Sequence, residues 1–123
     1  MAKRAGMSKA EMEIARIVWQ LESASARQVH EALPTSRKID FTTVQTYLTR
    51  LEDKGYLKSK KEGRAKIFSA KANPARVMRD SVKELLDILF DGDAVPMMRH
   101  LIDAEPEKVD SLREMLDELD EET

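Results

Sequence analysis

Cysteine is absent from all 123 residues. That absence excludes disulfides, thiolate metal sites and a cysteine nucleophile together, and it suits a reducing compartment. Histidine is nearly absent too: only His30 and His100 occur. Neither belongs to a local Asp/Glu arrangement that would form a catalytic relay or a zinc site, so no catalytic residue, no metal and no cofactor is expected. His30 falls at the edge of a short helical segment, as a surface or capping residue, and His100 falls where it could touch an interface. Glycine is scarce, and Gly55, Gly63 and Gly92 are isolated turn glycines rather than a phosphate-binding loop. No apolar run approaches the roughly 18 to 20 residues needed to span a bilayer. Met1 to Gly6 carries Lys3 and Arg4 with no apolar core behind them, so neither a signal peptide nor a membrane partner is expected and the chain reads as cytoplasmic.

What the chain does have is charge, unevenly spread. Charged residues make up 36% and hydrophobic residues 41%, the balance of a soluble globular protein with room for one domain and a smaller appendage. The net charge is only −2, yet residues 1–72 hold fifteen Lys and Arg against eight Asp and Glu, and residues 73–123 hold six against fifteen. A first half at +7 and a second at −9 describe one part that meets a polyanion and another that must stay off it. The domain reading follows the same division, with 1–72 as the binding domain and 73–123 as an acidic helical region.

Helical signals fill most of the chain. Ser8-Lys9-Ala10-Glu11 is a capping box, followed by Ile14, Ile17, Val18 and Leu21 on one face, with Trp19 flanking it. Ser25-Ala26-Arg27-Gln28 is a second capping box, opening a short helix with Val29, Ala32 and Leu33 inward and Pro34 as its stop. Thr35 to Lys38 reads as a polar loop. Asp40 is a suitable N-cap for a third helix that runs to about Lys54, places Val44, Tyr47, Leu48 and Leu51 inward, and ends at Gly55. Glu62-Gly63 then separates two short β-capable runs, the pattern of a hairpin. After Asn73-Pro74 come three more helical segments. The first carries Met78, Val82, Leu85, Leu86 and Leu89 and ends near Asp91-Gly92; the second runs from about Val95 to Ile102. The third, from Pro106, carries Val109, Leu112, Leu116 and Leu119, with Met115 beside them. The fold class is therefore mainly α with a small β-hairpin wing: a winged helix-turn-helix followed by a helical dimerisation region.

The third helix carries the functional signal. Its apolar stripe turns Thr42, Thr43, Gln45, Thr46, Thr49 and Arg50 away from the core. Four β-branched threonines each cost a few tenths of a kcal/mol relative to alanine in a helix, roughly. A merely solvated face would more often use Glu, Lys or Ala. In a DNA groove the same residues have uses: hydroxyls bond phosphates or base edges, threonine methyls pack on thymine methyls, and glutamine pairs with adenine. From Lys54 to Lys71 there are seven basic residues and one acid, Glu62. A wing bearing Lys60, Lys61 and Arg64 would set cations over the phosphate backbone, giving affinity but little sequence information. Residues 73–123 are too few to bury their own leucine stripes, so Val82, Leu85, Leu86, Leu89, Val109, Leu112, Leu116 and Leu119 are expected to form a homodimer interface. The competing reading is a winged-helix protein-interaction module without sequence-specific DNA binding.

With those residues placed, the chain from about Met7 to Leu119 resembles the penicillinase-repressor family, the BlaI/MecI-type regulators. The resemblance rests on Ser8-Lys9-Ala10-Glu11-Met12-Glu13-Ile14 with Val18-Trp19, on Thr43-Val44-Gln45-Thr46-Tyr47-Leu48 with Arg50-Leu51 and Lys54-Gly55-Tyr56-Leu57, on Glu62-Gly63-Arg64, and on Phe90-Asp91-Gly92. It implies a homodimer that represses its promoter at an inverted repeat of double-stranded DNA, with C-terminal helices swapped or packed across the dimer. It implies further that Thr42, Thr43, Gln45 and Thr46 face the groove while Arg50 and Arg64 support the backbone. In family members paired with a membrane sensor, a regulatory protease cuts an Asn-Phe bond in the tail; this chain has His100-Leu101 about there. Copper-responsive relatives carry C-terminal cysteine pairs, and the lack of cysteine excludes that route.

Overall fold

A computed structural model describes residues 5–37 and 39–122; Lys3, Arg4 and Lys38 of the readings above lie outside them. The element order is α1 (Lys9–Leu21), β1 (Ser23–Ser25), α2 (Ala26–Ala32), α3 (Phe41–Asp53), β2 (Leu57–Glu62), β3 (Ala65–Ala70), α4 (Pro74–Phe90), α5 (Ala94–Ala104) and α6 (Val109–Glu122). The last is preceded by a 3₁₀ turn at Pro106–Lys108. Two compact units divide the chain, residues 1–79 and 80–123, the division falling within α4.

Both capping boxes form. Ser8 Oγ accepts from the Glu11 N–H at 3.1 Å while Glu11 Oε1 accepts from the Ser8 N–H at 2.7 Å. Ser25 and Gln28 repeat the exchange at 3.2 and 2.8 Å. Each box satisfies two backbone donors that a helix start otherwise leaves without partners. Asp40 occupies the N-cap of α3 with extended backbone, but its carboxylate makes no capping bond.

The core of the first unit joins Ile14, Val18, Val29, Val44, Leu48, Leu51, Leu57 and Phe68. Leu21 and Ala32, expected inward, are exposed. Each sits in the last turn of its helix, where the periodicity continues past the surface that its helix covers. Tyr47 and Leu33 are only half-buried and flank the core. A third strand joins the hairpin in the order β1-β3-β2, all antiparallel, with Ala24 opposite Phe68 and both buried. The hairpin expected from the sequence is thus part of a three-stranded sheet, whose β1 is stitched into place from the loop between α1 and α2.

The end of α3 fixes where the hairpin begins. Gly55 lies at φ +87°, the Tyr56 N–H donates to the Leu51 carbonyl at 3.0 Å, and the Gly55 N–H donates to the Glu52 carbonyl at 3.0 Å. This paired closure is a Schellman motif, and it turns the chain from helix to β2 within three residues. Any L side chain at Gly55 would be held in the left-handed region. Gly55→Ala is therefore expected to lower stability by about 1 kcal/mol, in the range for a left-handed non-glycine residue. Denaturant unfolding should show the midpoint falling with an unchanged slope; an unshifted midpoint would show that the turn relaxes.

Candidate nucleic-acid interface

The helix α3 divides cleanly. Val44, Leu48 and Leu51 are fully buried, whereas Thr42, Gln45, Thr46, Thr49 and Arg50 are exposed and Thr43 is half-buried. The Thr46 hydroxyl donates to the Thr42 carbonyl at 3.0 Å, and the Thr49 hydroxyl donates to the Gln45 carbonyl at 3.0 Å. Each hydroxyl has thereby used its proton on the helix itself. What both offer outward is an acceptor oxygen and a methyl group, suited to base amines and to the thymine methyl. The Arg50 guanidinium lies 5.8 Å from the centre of the Tyr47 ring, within cation–π range, which restrains it beside the helix.

Beside this face runs a groove of about 410 Å³, bounded by the start of α2, the outer face of α3 and the β2–β3 hairpin. It brings Gln45, Thr49 and Arg64 together, joined by Arg27, which sequence reasoning passed over because a lone cation outside a basic run gives no signal. Arg64 sits exposed at the hairpin turn, next to Gly63.

The hairpin's cations are not equivalent. Alternation along β2 and β3 sets Lys61 and Lys66 on the face shared with Ser59 and Phe68, and sets Lys60 on the other face. Lys60 pairs with Glu62 at 3.4 Å, both well exposed, a contact of little energetic weight. Lys61 and Lys66 are directly opposite, a like-charge pairing that is unfavourable by itself. Glu52 of α3 offsets it, accepting from Lys66 at 3.1 Å and from the Ser59 hydroxyl. Those contacts, first the Ser59 hydrogen bond and then Lys66, outweigh partial burial and hold the Glu52 carboxyl below the ordinary carboxylate range. Lys66 also lies 5.3 Å from the Phe68 ring centre.

Lys54, counted in the basic run, points inward instead. Its ammonium donates to Glu11 Oε1 at 2.8 Å, to Glu11 Oε2 at 3.1 Å and to the Gly6 carbonyl at 3.0 Å. Glu11 is the one buried charged residue among those described. Burial pushes its carboxyl up, but the hydrogen bonds from Lys54 and Ser8 and the Lys54 charge outweigh that and hold it low. The Tyr56 hydroxyl donates to the Ala5 carbonyl at 2.5 Å, adding a second tie on the same N-terminal stretch.

The chain is similar to known proteins in sequence and in fold. The family model described as penicillinase repressor matches residues 7–121. A 16.5 kDa protein of the ptsI 3′ region of Latilactobacillus sakei, itself uncharacterised, is 31% identical over 83 residues, covering 68% of this chain and 57% of that one. The penicillinase repressor of Bacillus licheniformis is 25% identical over 121 residues, covering 96% of this chain and 94% of that one. Among solved structures, the DNA-binding domain of the repressor BlaI aligns with a TM-score of 0.53 at 31% identity, over 61% of this chain and 92% of that one. The Bacillus licheniformis BlaI monomer in complex with the blaP half-operator aligns with a TM-score of 0.51, also at 31% identity and with the same coverage.

The two lowered carboxyls make an acid-sensitivity prediction. A carboxylate with its folded pKa below its unfolded one stabilises fully above the unfolded value, near pH 4.3, and loses that contribution as pH falls through the folded value. Glu11→Gln is expected to be less stable at pH 7 by about 2 kcal/mol, the scale of a charge-assisted hydrogen bond with a partly solvated partner. It should also lose less stability than the unmodified protein between about pH 5 and pH 3. Equal acid slopes in pH-dependent denaturation would remove the Lys54–Glu11 pair as the source.

Proposed function

The chain belongs to the penicillinase repressor family, a family of transcriptional repressors rather than enzymes, and from that premise we propose that it represses transcription by binding an inverted-repeat operator as a homodimer. The observation that carries the reading is the two-sided α3: Val44, Leu48 and Leu51 are fully buried, and its other side carries exposed Thr42, Gln45, Thr46, Thr49 and Arg50 with no acid before Glu52. In this reading the helix enters the major groove with Thr42, Thr43, Gln45, Thr46 and Thr49 toward base edges. Arg50, Lys60, Lys61 and Arg64 supply phosphate contacts and the salt dependence that accompanies them. The BlaI domain, similar over 61% of this chain, is a DNA-binding domain, and the Bacillus licheniformis BlaI monomer was solved in complex with a half-operator. In this reading residues 1–72 read DNA and residues 73–123 join two copies, with the start of α4 anchored in the first unit through buried Val77.

The second part of the chain supports the homodimer. No residue from 80 to 121 is buried within the chain. Leu89 is 64% exposed, Leu116 57%, and Val82, Leu85 and Leu119 are about half exposed; Leu86, Val109 and Leu112 are partly covered. Stripes of this size on two helices are not stable against water alone, and a second copy is the partner that closes by symmetry. A dimer of this kind covers promoter DNA and blocks polymerase, while the acidic second part stays off the duplex. No helix among the described residues is long and apolar enough to cross a membrane.

Selection from random duplex DNA at about 0.15 M salt, where long-range attraction is screened, is expected to enrich an inverted repeat with half-sites spaced by whole helical turns. Gln45→Ala should relax the preference at one base position in each half-site. General binding without enrichment would refute the repressor reading. Leu89→Glu is expected to shift sedimentation from dimer to monomer and to weaken full-operator binding far more than half-site binding; an unchanged dimer would remove α4 from the interface.

A further inference from the structure

We propose that Arg27 is a DNA-backbone contact: with Arg64 it brackets the groove that holds Gln45 and Thr49, and one phosphodiester strand of the operator runs between the two guanidiniums. The inference rests on the DNA-binding reading above and adds to it a residue outside the third helix and the wing.

The groove's walls hold three cations, Arg27, Arg64 and Lys66, and no acid. Lys66 is already committed, since Glu52 accepts from it and the Phe68 ring lies against it. Arg27 and Arg64 are exposed and form no ion pair among the described residues. Two uncommitted guanidiniums around one acid-free groove leave its anion demand unmet. The planar donor fork of arginine matches phosphate oxygens, which makes phosphate the fitting ligand.

The position of Arg27 is set rigidly. The reciprocal capping box occupies the Ser25 hydroxyl and the Ser25 N–H, so the backbone two residues before Arg27 is pinned. Ser25 is also the last residue of β1 and pairs with Ile67 of β3, the residue between Lys66 and Phe68. Adjacent strands lie about 4.8 Å apart, so the sheet fixes the separation between the start of α2 and the hairpin. The helix α2 has only seven residues, and the proposal rests on the side chain, not on the helix end. Gln45 and Thr49 form the groove wall nearest the proposed base-reading face, so a strand seated here has its phosphates toward the arginines and its bases toward α3.

The test is a salt series of operator binding by the full-length protein, from about 0.05 to 0.2 M salt, read by fluorescence anisotropy. Removing one cation from a phosphate lowers the slope of log affinity against log salt by about 0.9. Arg27→Ala removes one such cation from each protomer of the dimer and is expected to reduce the slope by twice that, roughly 1.8, with the same fractional loss of affinity on every single-base variant of the half-site. Arg27→Lys should keep most of the slope, and Arg113→Ala, a charge removed from α6, should leave it unchanged. A methylphosphonate at the contacted phosphate should weaken the unmodified protein and add nothing to Arg27→Ala. An unchanged slope in Arg27→Ala, with the unmodified protein still selecting its operator, would overturn the proposal alone. So would a loss confined to one base pair, which would make Arg27 a base reader. Failure of the unmodified protein to select any sequence would overturn the underlying reading and this one with it.

Discussion

The face presented by the first unit depends on where a single ammonium group sits. Lys54 caps the end of α3, and its side chain bridges the buried Glu11 carboxylate near the start of α1 and the Gly6 carbonyl. Glu11 is used twice, since the carboxylate that closes the α1 capping box also receives Lys54. A cation near a helix C-terminus and a carboxylate near a helix N-terminus each lie where the backbone dipole favours them. The pair therefore joins two helix ends in the sense that both prefer. Rotation of α3 about its axis, which would turn Gln45 and Thr49 away from their present direction, requires that pair to break.

A second ion pair acts at the other side of the same helix. Glu52 reaches Ser59 on β2 and Lys66 on β3, so one carboxylate ties both strands of the hairpin to the helix. Counting charges along the sequence overstates what the hairpin can give to a polyanion. Lys54 is turned inward and Lys66 is neutralised. The positive charge that remains at the groove is concentrated in arginines, whose geometry is better defined than that of lysine.

How far this was legible in the sequence depended on distance along the chain. The capping boxes at Ser8 and Ser25 are four-residue patterns, and both form in the structure. The stripe of Val44, Leu48 and Leu51 was readable because helical periodicity is local, and the family resemblance rested on that same block. The strand β1 was not readable, because Ser23-Ala24-Ser25 is too short to show alternation and forms only against β3, more than forty residues away. The same distance hid the fate of Lys54, whose partner Glu11 lies 43 residues earlier. Arg27 was hidden differently: only folding sets it beside the hairpin, and nothing adjacent in sequence marks it.

The absence of any buried residue between 80 and 121 has a consequence for regulation. A segment without an interior of its own takes its cohesion from whatever covers it, so its stability is a mass-action quantity and not a fixed property of the chain. In the homodimer proposed above, protein concentration enters twice, once in assembling the covered state and again in occupying a target. For a repressor of the proposed kind, the response to a change in expression level is then steeper than proportional.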